Sequence, residues 1–77
     1  MSFFEVTHNG DYWTIELEVR ADTHATFGRP NRFWWSAVAK CGDSRKGPAQ
    51  GSVEAVDEAA ATGMALDQAC SRLGLDQ

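Results

Sequence analysis

The stretch VTHNGDYW, residues 6–13, decides the first part of the fold. Its centre, Asn9-Gly10, is a dipeptide that tolerates the positive φ values needed at both central positions of a type I′ turn. A two-residue loop of this type fixes the strand register, so that His8 lies opposite Asp11 and Val6 lies opposite Trp13. The stretch therefore predicts a tight antiparallel hairpin.

Outward from the turn, apolar and polar side chains alternate on both arms of the hairpin. Successive side chains of a strand point to opposite faces of the sheet, and directly opposed residues share a face. With the register above, one face collects the apolar residues Phe4, Val6, Trp13, Ile15, Leu17 and Val19. The other face collects Glu5, Thr7, Tyr12, Thr14, Glu16 and Glu18. Turn chemistry and alternation agree, and the first face is expected to cover the core.

A third strand is predicted from the stretch FWWSAVAK, residues 33–40, which is rich in aromatic residues and has no glycine or proline. One of its faces is wholly apolar, and we expect that face to be buried: Phe33, Trp35, Ala37 and Ala39. The stretch before it, residues 21–32, is rich in turn-forming residues and is predicted to be a long polar loop.

The last third of the chain predicts one long helix. Ser52 is a suitable N-cap, and acidic residues follow it in the first turns, so we expect a helix from Val53 to about Leu73. Gly74 and Leu75 resemble a Schellman stop. The predicted buried stripe contains Val53, Val56, Ala59, Ala60, Gly63, Leu66, Cys70 and Leu73. Whether residues 45–50 form a fourth strand is left open by the pattern, because Gly47 and Pro48 are poor strand residues.

These elements define one small domain over residues 1–77, of the α+β class. The predicted architecture has two layers, an antiparallel sheet of three or four strands with the C-terminal helix on one face (β-β-β-(β)-α). A chain of 77 residues buries only about 60% of its unfolded surface and has little left to enclose a deep catalytic pocket. We therefore expect a protein that is not an enzyme.

No motif in the chain carries a complete set of chemical groups. The glycine spacing of residues 42–47 is that of a phosphate loop, but Pro48 and Ala49 stand where the lysine and hydroxyl of that motif belong. His8 and Asp11 flank the hairpin turn, where polar cross-strand pairs are common. Cys41 and Cys70 lack a CxxC spacing and are expected to be reduced and half-buried. We expect no catalytic residue, no cofactor and no metal.

The sheet face away from the helix is the predicted partner-binding surface. It carries four large apolar residues among charged ones, namely Phe3, Tyr12, Trp34 and Val38. Several aromatic side chains on one open face are typical of an interface, so we expect a protein partner or a second copy in a homodimer. Two alternatives stay open: the loop 21–32 covers these residues, or the third strand has its faces reversed.

Charge supplies the alternative function, nucleic-acid binding. The chain has net charge −4, but its middle segment from Arg20 to Lys46 is basic and contains Arg29, Arg32, Arg45 and Lys46. Nucleic acid is the disfavoured partner, because the predicted strand order puts the first two of these cations at one end of the sheet and the last two at the other. The sequence shows no signal peptide and no apolar run long enough for a membrane span, so we expect a cytoplasmic protein with no membrane partner.

Overall fold

Four antiparallel strands lie side by side in chain order and are followed by one helix, in a computed structural model that describes residues 1–21 and 31–75. The elements are β1 (Ser2–His8), β2 (Asp11–Ala21), β3 (Asn31–Cys41), β4 (Ser44–Ala55) and α1 (Glu58–Arg72). The helix packs across β2, β3 and β4, on one face of the sheet. The predicted α+β architecture is confirmed, and the fourth strand that the sequence left open is present.

The hairpin of β1 and β2 has the predicted register. His8 pairs with Asp11 and Val6 with Trp13, and the pairing continues to Ser2 and Leu17. Asn9 and Gly10 have φ values of 52° and 83°, as a type I′ turn requires. Trp13, Ile15 and Leu17 are buried, which confirms the predicted core face.

Strand β3 also buries the predicted face. Phe33, Trp35, Ala37 and Ala39 are buried in the core, and Trp34 on the other face is exposed. The strand is longer than predicted, because Asn31 and Arg32 belong to it, and Ala21 belongs to β2. The predicted loop is wrong at these ends; its remainder, residues 22–30, lies outside the described residues.

Strand β4 is the main departure from the sequence prediction. It starts at Ser44 and runs to Ala55, so residues 45–50 are strand and residues 53–55 are not helix. Val53 pairs with Phe33, and both are buried on the helix side. A bulge shifts the register between Ala37 and Ala39, opposite Gly47 and Pro48, which accommodates these two poor strand residues.

Helix α1 therefore starts five residues later than predicted, at Glu58. Its N-cap is Asp57, whose side chain accepts a hydrogen bond of 2.8 Å from the Ala60 amide, whereas the predicted cap Ser52 lies in β4. The buried stripe is also different. Ala61, Ala65, Ala69 and Leu73 are buried at intervals of four residues, while Val56, Ala59, Ala60 and Gly63 of the predicted stripe are exposed.

The helix ends as predicted. The amide of Leu75 donates to the Cys70 carbonyl oxygen at 2.8 Å, and the amide of Gly74 donates to that of Ser71 at 3.2 Å. With Gly74 at φ 72°, this is the Schellman pattern.

Small residues of the helix face large residues of the sheet in the core. The alanines of α1 leave room for Trp13 and Trp35, so the two layers are complementary in volume. Cys41 and Cys70 are thiols, half-buried against the core. Within the described residues no helix is long and apolar enough to cross a membrane.

Candidate interaction face

The sheet face opposite α1, here called the open face, carries every residue predicted for partner binding. Phe3, Tyr12 and Trp34 have 63%, 74% and 51% of their surface exposed, and Val38 is half-buried. The register places them all on this face, because Tyr12 shares its face of β2 with Glu16 and Arg20, the residues that pair with Phe3, Val38 and Trp34. In the described part of the chain no further helix or strand packs on it. The prediction that they share one face is therefore correct, while their binding role stays a prediction.

The aromatic residues are spread along the open face and do not form one contiguous cluster. Phe3 and Val38 flank Glu16 in a single cross-strand row. Tyr12 lies at the hairpin end, whereas Trp34 pairs with Arg20, which is eight residues further along β2. At about 3.3 Å per residue, Tyr12 and Trp34 are roughly 26 Å apart. A partner that contacts both must cover most of the face.

Trp34 is held among cations at the end of the sheet away from the hairpin turn. Arg20 is its cross-strand neighbour on β2. The guanidinium carbon of Arg32, two residues away on the same strand, lies 5.9 Å from the centre of the Trp34 ring. A cation at this distance from an indole face is attracted by the ring quadrupole, which limits the orientations of the exposed ring. Trp34 therefore offers a partly ordered aromatic surface to a partner.

Charge on the open face is divided between the two halves of the sheet. The β1 and β2 half has the acidic residues Glu5, Glu16 and Glu18 with a single cation, Arg20. The β3 and β4 half has the opposite balance, with Arg32, Lys40 and Arg45 against Glu54.

Three ion pairs link these charges within the face. The Arg20 Nε and Glu18 Oε1 atoms are 2.6 Å apart, the Lys40 Nζ and Glu16 Oε1 atoms 3.2 Å, and the Arg32 Nη2 and Glu54 Oε1 atoms 3.8 Å. All six side chains are substantially exposed, so each pair contributes at most about 1 kcal/mol to stability. The pair of Lys40 and Glu16 crosses from β2 to β3 and balances the charge at the middle of the face.

A shallow depression of about 180 Å³ lies in the middle of the open face. It is lined by Met1, by Glu16, Glu18, Ser36 and Val38 of β2 and β3, and by Pro48 and Gln50 of β4. The β4 residues of the depression were not predicted from the sequence, because Gly47 and Pro48 left the structure of residues 45–50 open. Along β4, Lys46, Ala49 and Gly51 face the helix side and the residues between them face outward, and this alternation is the sequence signal of a strand. The bulge at Gly47 interrupts the two-residue period, so the signal is hard to recognise.

The cations predicted for nucleic-acid contact are not brought together. Arg32 lies near one end of β3, and Arg45 pairs with Lys40 near the other end, roughly 26 Å away at about 3.3 Å per residue. Lys46 faces the helix side, where its Nζ atom is 5.5 Å from the centre of the Trp13 ring. Arg29 lies outside the described residues.

The motifs considered for chemistry have structural positions. His8 and Asp11 are paired at the hairpin turn, and the His8 Nε2 atom is 3.2 Å from the side-chain nitrogen Nδ2 of Asn9. The glycine-spaced segment 42–47 forms the β3–β4 turn and the start of β4, with Gly42 at φ 57°. Among residues 1–21 and 31–75, no three histidine, cysteine or acidic side chains are grouped as a metal site.

Comparison of the chain with protein-family models, with curated proteins and with solved structures found no match.

Proposed function

We propose that this protein is a non-enzymatic protein-interaction module that binds a protein surface through its open face. The observation that carries the proposal is the exposure of Phe3, Tyr12 and Trp34, each more than half accessible on the same side of one sheet. Tyrosine and tryptophan are enriched among the residues that dominate binding energy at protein interfaces. Charged residues around them supply a polar surround of the kind found at interface rims.

The shape of the open face suits a macromolecular partner better than a small molecule. Typical small-molecule pockets enclose about 300–1,000 Å³, whereas the depression on this face is an open dish of about 180 Å³. A flat sheet face offers contact spread over many residues, which is how two protein surfaces associate. The separation of Tyr12 and Trp34 also requires an extended partner.

The charge pattern favours protein over nucleic acid. Three of the four strands, β1, β2 and β4, carry a carboxylate on the open face, and the cations Arg20, Arg32 and Lys40 each lie beside one. A nucleic-acid surface collects cations on one face, because phosphates are repelled by carboxylates placed among them. The net charge of −4 adds to this repulsion.

Photo-crosslinking tests the proposal with a matched control. Benzoylphenylalanine replaces Trp34 on the open face or, in a separate protein, Met64 on the helix, two positions that are 51% and 43% exposed. We expect position 34 to give a discrete crosslinked protein adduct, with the purified chain or in an extract of the source cells, and position 64 to give none. Adducts from position 64 alone, or from neither position, would reject the open face as the binding surface.

A further inference from the structure

We propose that the partner of the open face is a second copy of this chain, packed face to face with a two-fold axis that runs parallel to the strands. The inference rests on the proposed function and adds the identity and orientation of the partner. The resulting homodimer is a sandwich of two four-stranded sheets, with the two helices on the outside. Sheets that pack this way keep their strands aligned to within about 30° and lie about 10 Å apart.

The area of the open face is sufficient for such a dimer. The strands contain 7, 11, 11 and 12 residues. With about 3.3 Å between residues and about 4.8 Å between strands, the face covers about 650 Å² in each copy. Two such faces bury about 1,300 Å², which lies within the range of stable, specific protein interfaces.

Charge selects the orientation of the second copy. A two-fold axis parallel to the strands places β1 over β4 of the other copy and β2 over its β3. The acidic half of each open face then meets the basic half of the other. An in-plane axis across the strands would instead place β1 over β1 and β2 over β2, so that the acidic half of one copy would face the acidic half of the other. Like charges that face each other across an interface are strongly unfavourable, so the first axis is selected.

The cross-strand rows identify the contacts of this arrangement, because rotation about an axis along the strands keeps each row over itself. Glu5 shares a row with Lys40 and Arg45, so Glu5 lies over Arg45 of the second copy. Arg20 and Trp34 share another row, so the Arg20 guanidinium of one copy lies over the Trp34 ring of the other. Both contacts occur twice in the dimer.

Shape agrees with this arrangement at the middle of the face. Phe3 shares a row with Val38, at the level of the β4 bulge. The rotation carries Phe3 over β4 of the second copy, beside Pro48, which forms one wall of the depression. The exposed Phe3 ring of each copy thus meets the depression on the other copy, and the contact occurs twice in the dimer.

Charge reversal with complementation tests the inference. Glu5 and Arg45 are both exposed, so Glu5→Arg and Arg45→Glu are expected to leave the fold intact, as circular dichroism would verify. Sedimentation equilibrium of the purified chain, from about 10 µM to about 1 mM, should detect a dimer. Each single variant should dimerise at least tenfold more weakly, because like charges then meet twice. An equimolar mixture of the two variants should recover the wild-type affinity, since both contacts are again between opposite charges. Asp67→Arg, on the exposed side of α1, is the control and should change nothing.

Other results would overturn the inference in distinguishable ways. A purified chain that is monomeric at the highest concentration rejects the second copy, and the proposed function still stands if position 34 crosslinks to a different protein. Tighter pairing of the wild type with Glu5→Arg than with itself would indicate the axis across the strands. A dimer that neither reversal weakens, with no crosslink from position 34, would reject both the homodimer geometry and the open face.

Discussion

Gly51 lies against the indole ring of Trp35, its cross-strand partner on β3. A Cβ atom at position 51 would lie 2.8 Å from each of three ring atoms, Cε2, Cζ2 and Nε1. The ring is held from its other side by the helix, because Nε1 donates to the Gln68 side-chain oxygen at 3.3 Å and the Arg72 guanidinium carbon lies 5.4 Å from its centre. Trp35 is thus fixed on the helix face, and its neighbour Trp34 must point to the open face.

Gly51→Ala should reduce the free energy of unfolding by about 1–3 kcal/mol, since the added methyl group must displace a ring that is 3% exposed. Urea denaturation measures the change. Gly63→Ala is the matched control, because a Cβ there meets nothing within 4 Å. Because this glycine lies in the middle of a helix, its replacement by alanine should instead raise the free energy of unfolding by about 0.5–1 kcal/mol. Equal effects of the two substitutions would contradict the account of Gly51.

Substitution of the two neighbouring tryptophans should affect different properties, stability for Trp35 and dimerisation for Trp34. Trp35→Ala empties a buried site and should cost about 3–5 kcal/mol of stability. Trp34→Ala removes a ring that is 51% exposed and should cost about 1 kcal/mol or less, yet it should weaken dimerisation at least tenfold. Thermal unfolding and sedimentation equilibrium of both variants provide the comparison. A large stability loss in Trp34→Ala would mean that this side chain belongs to the core.

The start of the helix is tested by two cap substitutions. Asp57→Ala removes the side-chain acceptor of the Ala60 amide and should cost about 0.5–2 kcal/mol. Ser52→Ala alters an exposed position of β4 and should change stability by less than about 0.5 kcal/mol. Urea denaturation distinguishes them. The reverse order of effects would support the helix start expected from the sequence.

Those two residues also illustrate why the sequence misplaced the helix start. Ser52 followed by acidic residues is a true local capping signal, but Val53 gains more by pairing with Phe33 and closing the core. That gain depends on a residue twenty positions earlier and is invisible to a local pattern. The hairpin and the faces of β3 were predictable because turn chemistry and alternation are local and agreed with each other.

The buried stripe of α1 failed for a different reason. Alanine occupies several faces of this helix, so the small residues alone do not show which side of the helix is buried. The buried side is the one that packs in the core with Trp13 and Trp35 of the sheet, and it contains Ala61, Ala65 and Ala69. For the candidate site, the aromatic residues were predictable from alternation, whereas the β4 wall of the depression depended on the position of the bulge.

The hairpin turn gives a further stability prediction. Asn9 has a φ of 52°, a conformation that asparagine tolerates and alanine does not. Asn9→Ala should cost about 1–2 kcal/mol, while Asn9→Gly should be close to neutral because glycine adopts positive φ freely. Chemical denaturation of the pair checks this, and equal stabilities of the two variants would argue against a type I′ turn at this position.

Fluorine NMR of the chain labelled with 5-fluorotryptophan tests the central claim, that the open face is an interface, most directly. The protein contains three tryptophans, of which Trp13 and Trp35 are buried and Trp34 is exposed. As the concentration rises from about 20 µM to about 1 mM, the Trp34 resonance should shift and lose its H₂O/D₂O isotope effect, while the other two stay in place. A Trp34 resonance that keeps its position and its full isotope effect throughout, both alone and with any protein crosslinked at position 34, would contradict the claim.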